Sequence, residues 1–192
     1  MDKKTHLAET ALELFYLSGV ANIGVNEVSS KSQISKRTLY KYFDTKESLI
    51  LETLRLRHER FCYWLNRQLM DSESNEQLIE RLFEGLDRWF CNMDPQLGDF
   101  RGCYFINTSA EYGDHTHPIS VMCKKHKDEV RRIIEKHLPE PNETLLTLLC
   151  LLKEGAITSA FVNHDSNAAM KALMILKQTS FIRDNGQCTI QR

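Results

Sequence analysis

The sequence predicts an all-α protein in which three short N-terminal helices are followed by a larger helical bundle, about nine helices in all. Apolar residues recur at steps of three and four, as in Leu7, Ala11, Leu14 and Phe15, or Leu78, Leu82, Phe83, Leu86 and Phe90. No segment sustains the period-two alternation of a half-buried strand. Turn formers punctuate the chain at Gly19–Gly24, Ile34–Ser35, Asp44–Thr45, Asp71–Asn75, Asp94–Gly102, Gly113–Pro118, Pro139–Asn142 and Asn163–Ser166.

The stretches between these breaks give the elements in order: Lys3–Ser18, Val25–Gln33, Lys36–Phe43, Lys46–Met70, Glu76–Met93, Cys103–Tyr112, Ile119–Leu138, Glu143–Val162 and Asn167–Ile182. The tail Asn185–Arg192 is polar, lacks a packing stripe and is expected to fray. Two domains follow, 1–46 and 47–192, joined through the long fourth helix rather than by a linker.

With 192 residues and 42% hydrophobic content the chain can bury a substantial core. A net charge of −1 excludes a surface coated in cations, so any nucleic-acid site has to be a local patch. The charged start Met1–His6 lacks the apolar stretch of a signal peptide, and the run Leu145–Leu152 is far shorter than the ~18 apolar residues of a membrane span. A cytoplasmic protein without a membrane partner is expected. The six cysteines, Cys62, Cys91, Cys103, Cys123, Cys150 and Cys188, form no C-x-x-C pair and are expected to be reduced thiols.

Val25–Phe43 reads as helix, tight turn, helix, held at its crossing by Val28, Ile34, Leu39 and Phe43. Ser35 is placed to cap the second of these helices. Lys36, Arg37, Thr38, Tyr40, Lys41 and Tyr42 are left on the remaining faces of about two turns. From Lys31 to Lys46 five cations face one acid, a net +4 inside a chain of net −1. Lys46 brings a cation and free amide N–H groups to the start of the next helix, which suits phosphate. Arg37 has the fork that addresses guanine, and Thr38 or Tyr40 can meet a thymine methyl. A merely solvated amphipathic face would not put two tyrosines among the lysines.

The segment Val25–Leu49, above all Ser35-Lys-Arg-Thr-Leu-Tyr-Lys-Tyr-Phe43 and Lys46-Glu-Ser-Leu49, resembles the signature of TetR-family regulators, and Leu14-Phe15 and Gly19 match its first helix and turn. Specific matching covers about the first quarter of the chain. The resemblance implies a helix-turn-helix domain in which Tyr42 and Lys46 contact phosphate and Arg37, Thr38 and Tyr40 reach the groove. It further implies a homodimer on double-stranded operator DNA, a repressor released by a small-molecule effector, and no enzymatic activity. Two departures stand out. Gly24 replaces the usual capping Thr, and Ser32-Gln33 replaces Ala-Gly, placing a non-glycine residue in the turn.

The dimer interface is expected on Glu143–Val162 and Asn167–Ile182, where leucines surround much of one helix. Phe61, Trp64, Trp89, Cys103, Phe105, Met122 and His126 fall on helices that, by the resemblance, line the effector cavity, together with Phe90. Cys103 begins a predicted helix beside Arg101, features that favour a reactive thiol, and its Gly-Cys segment resembles that of some TetR regulators that sense oxidants or electrophiles. His115, His117, Cys123 and His126 have metal-ligand chemistry but no second pair at fixed spacing, so no metal or cofactor is predicted. A helical thiol enzyme pairing Cys103 with His126 lacks an orienting third group, and a protein-binding adaptor would show no DNA binding even at low salt.

Overall fold

The structure is a computed structural model describing residues 2–178. Among the described residues there are nine helices and no strand: α1 (Lys3–Ser18), α2 (Val25–Ser32), α3 (Lys36–Tyr42), α4 (Lys46–Leu69), α5 (Asn75–Phe90), α6 (Tyr104–Ala110), α7 (Pro118–His137), α8 (Glu143–Val162) and α9 (Ala168–Gln178). The end of the expected ninth helix past Gln178, the tail Asn185–Arg192 and Cys188 lie outside them. Expected and observed bounds otherwise differ at the helix ends. α5 stops at Phe90 because Asn92 adopts a left-handed conformation (φ 58°) and Met93 N–H turns back to Arg88 C=O. Side-chain oxygens of Asp2, Ser35, Ser74 and Asn142 accept from the third backbone N–H onward and start α1, α3, α5 and α8.

The chain forms two compact units, Met1–Cys62 with Cys103–Glu129, and Tyr63–Gly102 with Val130 onward. In the first of these, α1–α3 fold together with most of α4, with α6 and with the first part of α7.

In the first unit α1, α2 and α3 pack on one another around Leu7, Ala11, Phe15, Val28, Leu39 and Phe43, all buried. Behind them Thr53 Oγ1 and Tyr104 Oη hydrogen bond at 2.8 Å, Tyr104 meets Tyr16 edge-on, and the buried Arg57 guanidinium lies 4.8 Å over the Tyr16 ring. Burial pushes the Tyr104 hydroxyl well above the usual tyrosine range, so it remains a neutral donor.

In the second unit α5, α8 and α9 pack together. α5 contributes Leu78, Leu82, Phe83, Leu86, Trp89 and Phe90, one continuous apolar face. Trp89, Phe90 and Phe100 cluster at centroid distances of 4.7–5.9 Å, and Phe161 joins Phe100 at 6.5 Å. Gly102 sits at φ +77°, and a Cβ there would lie 2.8 Å from the Phe161 ring, so this position excludes a side chain twice over.

α8 is long and apolar enough by length and composition to cross a membrane, further than the leucine run alone suggests. Within the unit it is a bundle helix: Leu145, Leu146, Leu149, Ala156 and Ile157 are buried, and it buries Lys153, paired with the adjacent Glu154.

Asp94 organises the loop after α5. Its carboxylate accepts from Trp64 Nε1 (2.7 Å) and from the backbone N–H groups of Gln96 and Leu97 (3.0 Å each). Asp94→Ala removes the acceptor of these three hydrogen bonds and is expected to cost about 3 kcal/mol, read as a lowered urea midpoint; a loss below about 0.5 kcal/mol would contradict this assignment.

Candidate functional site

α3 is fixed from beneath and open above. Leu39 is wholly buried, while Lys36, Arg37, Tyr40, Lys41 and Tyr42 are exposed, the two tyrosines at 47% and 44%. Exposed aromatic rings on a helix this short are costly unless something covers them. Ser35 Oγ accepts from Thr38 N–H (3.3 Å) and lies 3.0 Å from Thr38 Oγ1, which holds Thr38 half-buried at the first turn. Lys46 is also half-buried: its Nζ donates to Ala21 C=O at 3.4 Å and lies 6.0 Å over the Phe15 ring.

The turn into α3 carries the expected strain. Gln33 is left-handed at φ 56°, ψ 26°, a conformation glycine would take freely. Side chains brace it: Ser29 Oγ donates to Ile34 C=O (2.6 Å), and His6 Nε2 lies 3.2 Å from Ser32 C=O. At Gly24 the missing cap hydroxyl is offset by Glu27, whose carboxylate accepts from Gly24 N–H at 2.9 Å.

α6 ends on a clamp. The Glu111 carboxylate accepts from Val20 N–H (3.0 Å) and Ala21 N–H (2.5 Å), the two amides of the α1–α2 turn. Gly19, at φ +86°, leaves room for it; a Cβ there would stand 3.2 Å from Glu111 Oε1. Beside the clamp, α6 and α7 line an open cavity of about 680 Å³ bounded by Phe105, Ile106, Ser109, Ala110, His115, Ser120, Cys123, Lys124 and Lys127.

The predicted pocket residues are dispersed. Phe105 lines the cavity. Phe61 and His126 lie next to it in packing, since His126 stacks on Phe105 (3.5 Å, 6°) and meets Phe61 edge-on. Met122 is half-buried on α7. Trp64, Trp89 and Phe90 belong to the second unit's interior, where Trp64 is anchored by Asp94 and the other two pack with Phe100.

Cys103 is buried, and Lys127 Nζ lies 3.2 Å from its Sγ. His126 Nδ1 lies 3.1 Å from His58 Nδ1, with Cys62 beside His58. His117 lies 3.5 Å from Glu47 and against the Tyr112 ring, and His115 lines the cavity.

Residues 7–53, which include the whole braced turn and α3, match the family model for bacterial regulatory proteins of the tetR family. The chain is 27% identical over 170 residues to the HTH-type transcriptional regulator YjdC of Escherichia coli K12, covering 85% of each protein. The chain carries a segment, residues 7–53, that matches the tetR-family regulatory-protein model. It is also similar to the HTH-type transcriptional repressor NemR of E. coli K12, 23% identical over 151 residues covering 78% of this chain and 73% of NemR. The fold matches that of a TetR-family transcriptional regulator from Streptomyces coelicolor with a TM-score of 0.78 at 22% identity, over 90% of this chain and 85% of that one.

The matched segment, residues 7–53, lies within the first compact unit. Sequence reasoning missed Glu111 and Lys127. Glu111 acts on backbone amides about ninety residues away, which leaves no side-chain pattern to read. Lys127 was visible only as one cation among several on α7.

Proposed function

We propose that this protein is a cytoplasmic homodimeric repressor that sets one α3 into each of two successive major grooves of an inverted-repeat operator and leaves the DNA when a small molecule fills the α6–α7 cavity. The observation that carries the reading is the exposed Lys36, Arg37, Tyr40, Lys41 and Tyr42 surface on a helix anchored by Leu39. Residues 1–46 read the DNA, and 47–192 sense and dimerise. Lys46 then acts by tying the start of α4 to the α1–α2 turn, with its cation available to a nearby phosphate.

The cavity suits an apolar body with a polar or anionic end: Phe105, Ile106 and Ala110 offer apolar wall, and Lys124, Lys127 and His115 offer charge or donors. Because α6 both lines the cavity and ends in the Glu111 clamp, a ligand that shifts α6 pulls on the α1–α2 turn and hence on the recognition helix. Glu111→Ala is expected to speed hydrogen exchange at Val20 and Ala21 about 10–100-fold, since charge-assisted hydrogen bonds contribute about 1.5–3 kcal/mol. Unchanged exchange at those two amides would remove the clamp from the account.

Dimerisation is assigned to α8 and α9. Thr144, Thr147, Leu151, Gly155, Thr158 and Val162 form an exposed, uncharged stripe along α8, and Met170, Met174 and Ile175 are exposed on α9. Selection from a random duplex library tests the whole reading: enrichment of an inverted repeat supports it, and enrichment of nothing would sink it.

A second reading, oxidant or electrophile sensing through Cys103, is favoured by the Lys127 ammonium at its sulfur. NemR has been solved in a reduced form. Burial pushes the Cys123 thiol up to about 11, which leaves it protonated and slow to react. Under this reading N-ethylmaleimide abolishes operator binding by the wild type and leaves Cys103→Ser unaffected; equal loss in both would end it.

A further inference from the structure

We propose that His58, Cys62 and His126 form a binding site for a single borderline transition-metal cation of the zinc class. His58 and Cys62 are one turn apart on α4, and His126 comes from α7 within the same compact unit. The His58 and His126 Nδ1 atoms lie 3.1 Å apart, Cys62 Sγ is 3.7 Å from His58 Nδ1, and all three donor atoms lie within 4.8 Å of one another. Zinc bonds to nitrogen at about 2.0–2.1 Å and to sulfur at about 2.3 Å, so tetrahedral donors stand roughly 3.3 Å (N to N) and 3.6 Å (N to S) apart. Two of the three edges are already close to those values, and the third, Cys62 to His126, is within 4.8 Å.

Two imidazoles and a thiol are the donors of zinc, cobalt(II) or copper(I), not of calcium or magnesium. The His126 ring is held by its stack on Phe105 and by the edges of Phe61 and His58, which fixes the direction of its nitrogen. Glu129, three residues after His126, acts electrostatically on both His58 and Cys62 and favours a cation there; Lys125 opposes it at His58 and Glu59 assists it.

Binding replaces the thiol proton, which leaves to solvent as the S–metal bond forms, and the imidazoles present unprotonated Nδ1 with their hydrogens on Nε2. Three protein donors leave the fourth position to solvent or an exogenous ligand. The metal claim does not depend on the regulatory reading: it is read by binding, not by operator affinity.

The test titrates the full-length, tag-free, reduced protein with Co²⁺ and then displaces it with Zn²⁺. One Co²⁺ per chain is expected, with the intense visible bands of a tetrahedral site and a thiolate-to-cobalt charge-transfer band, and stoichiometric bleaching by Zn²⁺. Cys62→Ser removes the charge-transfer band. His58→Gln, at a half-buried position, weakens Zn²⁺ at least about 100-fold, because even outer-shell changes cost about 10–100-fold. Cys103→Ser and Cys123→Ser keep both signals. Circular dichroism shows whether each variant is folded, and Cys62→Ser and His58→Gln report independently. Octahedral pink cobalt, a missing charge-transfer band, or Zn²⁺ affinity unchanged in both ligand variants would overturn the site.

Discussion

In the Leu151→Glu variant, self-association is expected to weaken at least about 100-fold and tight operator binding to disappear, while the helical circular-dichroism signal persists. Leu151 is 66% exposed on α8, so the substitution removes little from the protomer's own core. In a two-fold dimer the same residue faces the interface from both sides, so one substitution buries two unpaired carboxylates. Leaving a buried charge unpaired costs about 3–5 kcal/mol, enough for the stated loss. A monomer holds one recognition helix and cannot span half-sites roughly 34 Å apart. Light scattering measures the mass and anisotropy the DNA affinity. A Leu151→Glu protein that remains dimeric would move the interface elsewhere.

Arg37→Ala is expected to lower operator affinity about 5–150-fold per half-site and to relax specificity at one base pair of each, since a forked arginine–guanine contact contributes about 1–3 kcal/mol. Arg37 is exposed on α3, so stability should hardly change. Lys41→Ala should differ in kind: affinity falls on every sequence alike, and the salt dependence becomes shallower by about one counterion. Were Arg37→Ala to weaken specific and scrambled DNA equally, Arg37 would be a phosphate contact instead.

The helices were legible because their signals are local. Leu78, Leu82, Phe83 and Leu86 spell a helical face, and Ser35 and Asn142 start helices from beside them. The exposed face of α3 was legible for the same reason, since one buried Leu39 among five exposed side chains fits within two turns. Lys46 is a partial exception. Its place at the start of α4 could be read, but its bond to Ala21 C=O depends on how the α1–α2 turn folds.

Partners distant in sequence were not legible. Periodicity placed Trp64 and Trp89 on helices but carried nothing about which interior they join. Arg101 was nearest to Cys103 in sequence, yet Lys127, a full helix away, has its Nζ 3.2 Å from the sulfur. His126 was weighed with His115, His117 and Cys123, its neighbours along the chain, whereas its ring nitrogen meets His58, 68 residues earlier.

The most direct test of the central claim is fluorescence anisotropy of the purified protein on DNA from upstream of its own gene and on a scrambled duplex, across a salt series and with Arg37→Ala and Tyr42→Phe. The account predicts saturable preference for the native duplex, a steep fall in affinity with salt, and weaker binding by both variants. Equal, weak binding of native and scrambled DNA that is indifferent to salt and to both substitutions would contradict it.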